Sequence, residues 1–201
     1  MKTNIGIEFV CTANGGRSPI AQTIGQNYVE NLGLEDAIKI YSSGTQAELA
    51  ETDMFQFPLP FLLDYIEIGF KSGTYQKSAK DIAKQVVAKK KEVALAVEKG
   101  DEKARRTVKY CIRYLMNDEV TKRNKVLLEI GVIPKNKFHQ QTEIRNDVDL
   151  ILGMKQSNAE YVKKLYERRK KAPLITTLCE YAGVVGQIDD PFGGTLADFK
   201  K

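Results

Sequence analysis

The sequence predicts an α/β fold, a doubly wound four-stranded parallel sheet with helices on both faces, together with a helical insertion. Two observations carry that expectation. Short apolar runs at 4–10, 38–42, 148–153 and 173–178 alternate with segments of helical period, the pattern of strands covered on both faces by crossover helices. The first run, Ile5-Gly6-Ile7-Glu8-Phe9-Val10, passes through a loop of small residues directly into a helix-like segment. Sheets of this kind hold ligands at the carboxyl ends of their strands, where such a loop would lie.

Taken in order, strand 4–10 leads to a loop at 11–18 and a helix from Pro19 to about Leu32, with Pro19 at the first helical position and Gly33 as the stop. Strand 38–42, helix 119–130, strand 148–153, helix 157–171 and strand 173–178 complete the alternation. Between Leu49 and Asp118 the pattern changes. Phe55 to Phe70 is apolar and aromatic, broken early by Pro58 and Pro60. Ile82, Val86, Val93 and Val97 recur at helical spacing, Gly100-Asp101 reads as a turn, and Ala104, Val108, Cys111, Ile112 and Leu115 mark a second amphipathic helix. A helical hairpin inserted at 49–118 within one domain spanning 1–201 is the expectation.

Composition fits a soluble enzyme domain. The 201 residues can bury a substantial core, and the formal charge of +5 is modest. No apolar run reaches membrane-spanning length, and no basic-then-apolar secretion signal opens the chain. Three cysteines do not make a disulfide framework, and a required thiolate suits a reducing compartment, so a cytoplasmic location is expected.

The chemistry is concentrated at Cys11-Thr12-Ala13-Asn14-Gly15-Gly16-Arg17-Ser18. Successive backbone N–H groups in a tight loop can converge on one oxyanion, and a helix N-terminus adds partial positive charge. The same field favours thiolate over thiol, which makes Cys11 a candidate nucleophile. Arg17 is placed to bring its planar fork over the anion. Of the three cysteines only Cys11 has this context, because six residues beyond Cys111 stands Asn117 and six beyond Cys179 stands Val185. Near the C-terminus, Asp189-Asp190-Pro191-Phe192-Gly193-Gly194 supplies a carboxyl for protonating a leaving oxygen, with Pro191 biasing Asp190 towards extended backbone.

Together these motifs resemble the low-molecular-weight protein tyrosine phosphatase family, whose pattern is an N-terminal strand, Cys-x5-Arg-Ser-Pro and a late Asp-Pro-aromatic loop. The resemblance extends to Ile40-Tyr41-Ser42-Ser43-Gly44-Thr45, to Arg123–Val132 followed by His139-Gln140, and to Asp147–Met154. It implies a phosphomonoesterase acting through a cysteinyl-phosphate. In that reading Cys11 attacks, Arg17 and the loop Thr12, Ala13, Asn14, Gly15, Gly16 and Ser18 hold the phosphate, and Asp190 is general acid and then base. Asn14, Ser18, Ser42 and His139 correspond to residues bracing the loop. Neither metal nor organic cofactor is implied. Substrates would be phosphorylated protein, phosphotyrosine first, or a small phosphomonoester, with phosphate ion as product and inhibitor.

Departures from the family pattern bear on substrate and redox chemistry. Gly16 stands where most relatives carry a second Cys that traps the nucleophile in a disulfide. Gly15 matches neither the aliphatic residue of tyrosine phosphatases nor the Thr of protein arginine phosphatases. Glu48 stands near the usual aromatic wall, with Phe55, Phe57 and Tyr65 of the insertion as candidates to replace it. Thr177-Leu178-Cys179 is similar to a segment of the arsenate reductase branch, but no Cys follows between Glu180 and Gln187 to complete its thiol relay, and Cys111 is the remaining substitute. A non-catalytic phosphate- or phosphoprotein-binding module is the alternative of another class. The insertion's apolar stripe can cap the sheet or serve self-association or docking. Nucleic acid is disfavoured as a partner because Glu92, Glu98, Asp101 and Glu102 interleave with Lys89-Lys90-Lys91 and Arg105-Arg106.

Overall fold

The computed structural model describes residues 4–134 and 140–200. In chain order the elements are β1 (Ile5–Cys11), α1 (Arg17–Asn31), β2 (Ile38–Gly44), α2 (Ala47–Thr52), α3 (Leu59–Lys71), α4 (Lys77–Ala88), α5 (Lys90–Glu98), α6 (Glu102–Glu129), β3 (Leu150–Gly153), α7 (Gln156–Tyr166), β4 (Leu174–Thr177) and α8 (Leu178–Tyr181). The four strands form one parallel sheet in the order β2-β1-β3-β4. From β1 the chain first crosses to β2 on one side and later returns to β3 on the other. The C-terminal end of β1, where Cys11 sits, is therefore a switch point at which flanking connections diverge and leave a crevice.

Side chains alternate along β1, so its two faces meet different helices. Gly25 of α1 approaches Phe9 and Ile40, and a Cβ there would lie 3.6 Å and 3.4 Å from them. On the opposite face Val10, Val148 and Ile151 pack with Val162 and Tyr166 of α7. This is the doubly wound sheet expected from the sequence.

Several boundaries moved for identifiable reasons. Instead of starting at Pro19, α1 starts at Arg17, because the Gly16 carbonyl already accepts from the Ile20 N–H at 3.1 Å. Pro19 then falls in the first turn, where its missing N–H removes no helical bond. The helix expected at 157–171 ends at Tyr166, ahead of the basic run Arg168-Arg169-Lys170-Lys171 and of Pro173, which disfavours helix before it. The helices expected near 104–115 and at 119–130 are one, α6, since neither Gly nor Pro interrupts Glu102–Glu129. It stops at Gly131, whose φ of 77° few other residues tolerate.

The chain divides into two compact units, one of residues 1–52 and 127–190 that holds the sheet, the other of residues 53–126 and 191–201. The second unit overlaps the insertion expected at 49–118 and contains more than a hairpin. Helices α3, α4 and α5 and most of α6 surround a core of Leu62, Leu63, Ile66, Val86, Val108 and Leu115. A break at Lys89 separates α4 from α5, so that Val86 and Val97 are both buried in that cluster. Phe192, from the segment after the late Asp-Pro, packs on the same core.

One residue of β1 departs from its apolar surroundings. Glu8 is 2 % exposed, on the same face as Val10, and its Oε2 has no hydrogen-bond partner among the described residues. Burial pushes its carboxyl above the usual value of 4.5, only partly opposed by the Ser43 hydroxyl and by the charge of Arg145. A carboxyl whose folded-state value is raised lends the fold stability that is complete below its unfolded value and is lost as pH rises through the folded one. Glu8→Gln should therefore raise the melting temperature near neutral pH, and the gain should shrink as pH falls towards about 4.5 and be lost below it. Thermal unfolding of both proteins across that range checks this; a gain independent of pH would contradict it.

Candidate active site

The loop from Thr12 to Gly16 joins the end of β1 to the start of α1, and its shape is set by Asn14. This residue is fully buried and has a φ of 54°, in the left-handed region that costs a non-glycine residue energy unless its surroundings compensate. The compensation is visible. The Asn14 side-chain amide donates to Ser18 Oγ at 3.0 Å and to Ser42 Oγ at 2.9 Å, and its Oδ1 accepts from the Gln140 N–H at 2.9 Å. Both donors and the acceptor of one amide are used. Ser42 passes the network on by donating to Gln22 Oε1 at 2.6 Å.

Around the same residue the loop closes on Cys11. The Asn14 N–H donates to Cys11 Sγ at 3.2 Å, and Ser18 Oγ lies 3.0 Å from that sulfur and 3.1 Å from the Ser43 carbonyl oxygen, either of which can take its proton. Two donors aimed at one sulfur favour its thiolate. The loop also lies directly against β2. Thr45 N–H donates to the Cys11 carbonyl and Gln46 N–H to that of Thr12, at 2.9 and 2.8 Å. A Cβ on Gly44 would come within 2.7 Å of Asn14 N and Thr12 O, so only glycine fits there.

Arg17 begins α1 and is 7 % exposed. Its Nη2 donates to Asp190 Oδ2 at 2.7 Å and its Nη1 to the Ile188 carbonyl at 3.2 Å. The acidic segment is itself fixed to the sheet, because Ile188 N–H donates to the carbonyl of Met154, whose own N–H donates to Val10. The structure thus gathers Cys11, Asn14, Arg17, Ser18, Ser42 and Asp190, with the Arg17–Asp190 pair spanning 173 positions of sequence. His139 lies outside the described residues. Gln22, Gln140 and the Ile188 carbonyl take part without having been expected. Two of these act through the backbone, which side-chain identity does not reveal, and Gln22 had as its signal only a place one helical turn after Ser18.

The remaining candidates have contacts of their own. Glu48 is exposed in the first turn of α2. Phe55, Phe57 and Tyr65 pack on the core of the second unit, where Tyr65 meets Phe192 edge to face at 4.8 Å. Thr177-Leu178-Cys179 starts α8, with the Thr177 hydroxyl accepting from Glu180 N–H and the Glu180 carboxylate accepting from Thr177 N–H. All three cysteines are free and buried, and burial pushes the Cys111 thiol up to about 12. Among the described residues no group of His, Cys, Asp and Glu is arranged to hold a metal, and no helix is long and apolar enough to cross a membrane.

Comparison with known proteins agrees with this geometry. The model of the family "Low molecular weight phosphotyrosine protein phosphatase" matches residues 6–57, which include β1, the loop, α1 and β2. Over those residues the chain is similar to that family. Solved structures carry the same fold at low identity. A low molecular weight protein tyrosine phosphatase from T. tengcongensis aligns with 98 % of this chain and 88 % of its own, at 19 % identity and a TM-score of 0.54. A YwlE mutant from Bacillus subtilis aligns over 98 % and 87 %, at 19 % identity and a TM-score of 0.52. Wzb from Vibrio vulnificus, solved in complex with benzylphosphonate, aligns over 97 % and 86 %, at 17 % identity and a TM-score of 0.51. No curated protein matches the sequence.

The hydrogen bond from Ser18 to the Cys11 sulfur has a measurable consequence. A hydrogen bond to a charged group is worth about 1.5–3 kcal/mol. Ser18→Ala should thus slow alkylation of Cys11 by iodoacetamide at neutral pH by roughly tenfold or more, with the fold intact by circular dichroism. Unchanged alkylation would show that Ser18 bonds the Ser43 carbonyl instead.

Proposed function

We propose that this chain is a phosphomonoesterase, of the phosphotyrosine type, that works through a cysteinyl-phosphate. The observation that supports the reading best is the meeting of Asp190 with Arg17 beside a loop whose hydrogen bonds point at the Cys11 sulfur. A phosphate-binding module would need the loop and the arginine, but neither a nucleophile nor an adjacent carboxyl.

In the first step the Cys11 thiolate attacks phosphorus, forming the S–P bond as the P–O bond to the leaving group breaks. Asp190, protonated, gives its proton to the departing oxygen. The loop amides and the Arg17 guanidinium hold the remaining phosphoryl oxygens, donors fixed in place before the charge develops. In the second step Asp190, now a carboxylate, takes a proton from water. The water oxygen bonds to phosphorus, the S–P bond breaks, and phosphate and the Cys11 thiolate are released. Ser18 steadies the thiolate in both steps, while Asn14, Ser42 and Gln140 keep the loop curled around the phosphoryl group. No step requires a metal or an organic cofactor.

Hydrolysis of a generic aryl phosphate tests the proposal, followed by a panel of phosphotyrosine and phosphoarginine substrates. Cys11→Ser should abolish turnover, and phosphate or vanadate should protect Cys11 of the wild type from alkylation. A positioned acid contributes on the order of 10²–10⁴-fold, so Asp190→Asn should lose about that on poor leaving groups and less on activated ones. Asp189→Asn should be milder. Full activity of the Cys11→Ser protein would rule the mechanism out, and the reverse ranking of the aspartates would move the acid to Asp189.

Oxidation separates this reading from a thiol-relay arsenate reductase. With Gly16 following Gly15, no neighbouring thiol in the loop can capture a Cys11 sulfenic acid. Peroxide should therefore inactivate the protein with little recovery on adding reductant. Full recovery, with Cys11 found joined to Cys179 or Cys111 by mass spectrometry, would favour the relay.

A further inference from the structure

We propose that Glu8 tunes the Cys11 thiolate from within β1, with Ser43 as the residue that links the two. This deepens the reading of Cys11 as the nucleophile and rests on it. Every group involved belongs to the sheet-bearing unit. Glu8 precedes Cys11 by three residues in β1, about 10 Å along a strand that rises roughly 3.3 Å per residue. It has no part in the two chemical steps. Yet this carboxyl is kept at 2 % exposure, with one oxygen unpartnered among the described residues. An apolar side chain would fill the place at less cost.

Ser43 touches both groups. In the parallel register Glu8 stands beside Tyr41 and Val10 beside Ser43, and the four side chains share one face of the sheet. The Ser43 hydroxyl bonds the Glu8 carboxyl, and its oxygen lies 2.8 Å from Thr142 Oγ1. The Ser43 carbonyl oxygen lies 3.1 Å from Ser18 Oγ, which in turn is 3.0 Å from the Cys11 sulfur. Thr142 belongs to the same support. Its N–H donates to the Gly44 carbonyl, Gly44 N–H donates to the carbonyl of Gln140, and Gln140 N–H donates to Asn14. A serine has one hydroxyl proton, so a Glu8 carboxylate takes it and Thr142 donates to Ser43. Protonated Glu8 can donate to Ser43 instead, and Ser43 to Thr142.

The groups around Glu8 leave its charge uncancelled. Ile151 of β3 and Tyr41 of β2 flank it in register. Tyr41 and Tyr166 of α7 stay neutral, since burial pushes both phenols above their ordinary value of 10.0. Arg145 lies over the Tyr41 ring and is held by Asp147, Nε to Oδ1 at 3.1 Å and Nη2 to Oδ2 at 2.9 Å, so the pair presents little net charge. Burial is the largest effect on the Glu8 carboxyl and raises it; the Ser43 hydroxyl lowers it, and Arg145 and Asp147 pull in opposite senses. A carboxylate and a thiolate about 10 Å apart, at an effective dielectric of about 20, disfavour one another by roughly tenfold. Ionised Glu8 therefore moves formation of the Cys11 thiolate to higher pH.

The test is the rate of Cys11 alkylation by iodoacetamide across the acid and neutral range, read by mass spectrometry so that Cys111 and Cys179 are counted apart. The wild-type rate should rise over more than one ionisation, because Glu8 and Cys11 titrate as a coupled pair. Glu8→Gln should give a single ionisation at lower pH, with alkylation on the acidic flank up to roughly tenfold faster. Ser43→Ala removes a hydroxyl that favours the Glu8 carboxylate, so it should move the profile the same way by less. The double variant should match Glu8→Gln. A wild-type profile coincident with that of Glu8→Gln, or a Glu8→Gln profile displaced to higher pH, would overturn the inference. A Ser43→Ala shift that adds in full to that of Glu8→Gln would overturn Ser43 as the link. Should Glu8→Gln fail to fold, an unmoved Ser43→Ala profile overturns the inference by itself. If the coupling is found but no aryl phosphate is hydrolysed, the proposed function fails and the tuning stands.

Discussion

The site depends on one buried amide. Asn14 holds a backbone conformation that a residue with a Cβ avoids, and it is kept there by three hydrogen bonds that its own side chain makes to Ser18, Ser42 and Gln140. Because the partners come from α1, from β2 and from the segment before β3, the loop cannot relax without breaking contacts in three parts of the sheet-bearing unit. Its left-handed turn directs the Asn14 N–H at Cys11, and its bond to Ser18 orients the hydroxyl beside the same sulfur. A preorganised electrostatic site requires donors that need not move when charge appears. Here the cost of fixing them is met by the sheet.

The sheet makes those contacts possible. In an all-parallel sheet every strand ends on the same side, so residues distant in sequence emerge together. Cys11 at the end of β1, Gly44 at the end of β2 and Met154 just after β3 are neighbours for that reason alone. Gly44 lets the strand end press against the loop backbone, and Met154 bridges β1 to the acidic segment through its N–H and carbonyl. Glu8, buried and close enough to Arg145 to feel its charge, is the exception within an apolar face. It shows that a strand can carry one costly group when its neighbours supply the packing.

The helical unit has a core of its own, built from α3 to α6 and closed by the segment that begins at Pro191. Its apolar residues therefore have a partner in each other, which accounts for the stripes at Ile82–Val97 and Ala104–Leu115 without invoking any outside surface. The unit also holds the C-terminal turn. Buried lysine, hydroxyl and aromatic contacts all converge on residues 192–194.

The sequence by itself pointed to the parallel doubly wound sheet, because strand runs, helical spacing and the strand–loop–helix order of residues 5–31 are local properties legible in residue type. It also marked Cys11, Arg17, Ser18 and Asp190, since each belongs to a short motif whose chemistry depends on residue type. Tertiary structure decided the rest. The left-handed Asn14, the backbone donors of Gln140 and Thr45, and the carbonyl of Ile188 are conformational features, and a carbonyl looks the same in every residue. The merging of two expected helices into α6 was settled by the absence of a breaker and by the packing it allowed. That Lys122 would close on Gly194 follows from no spacing at all, because two residues 72 positions apart meet only through the folding of the helical unit.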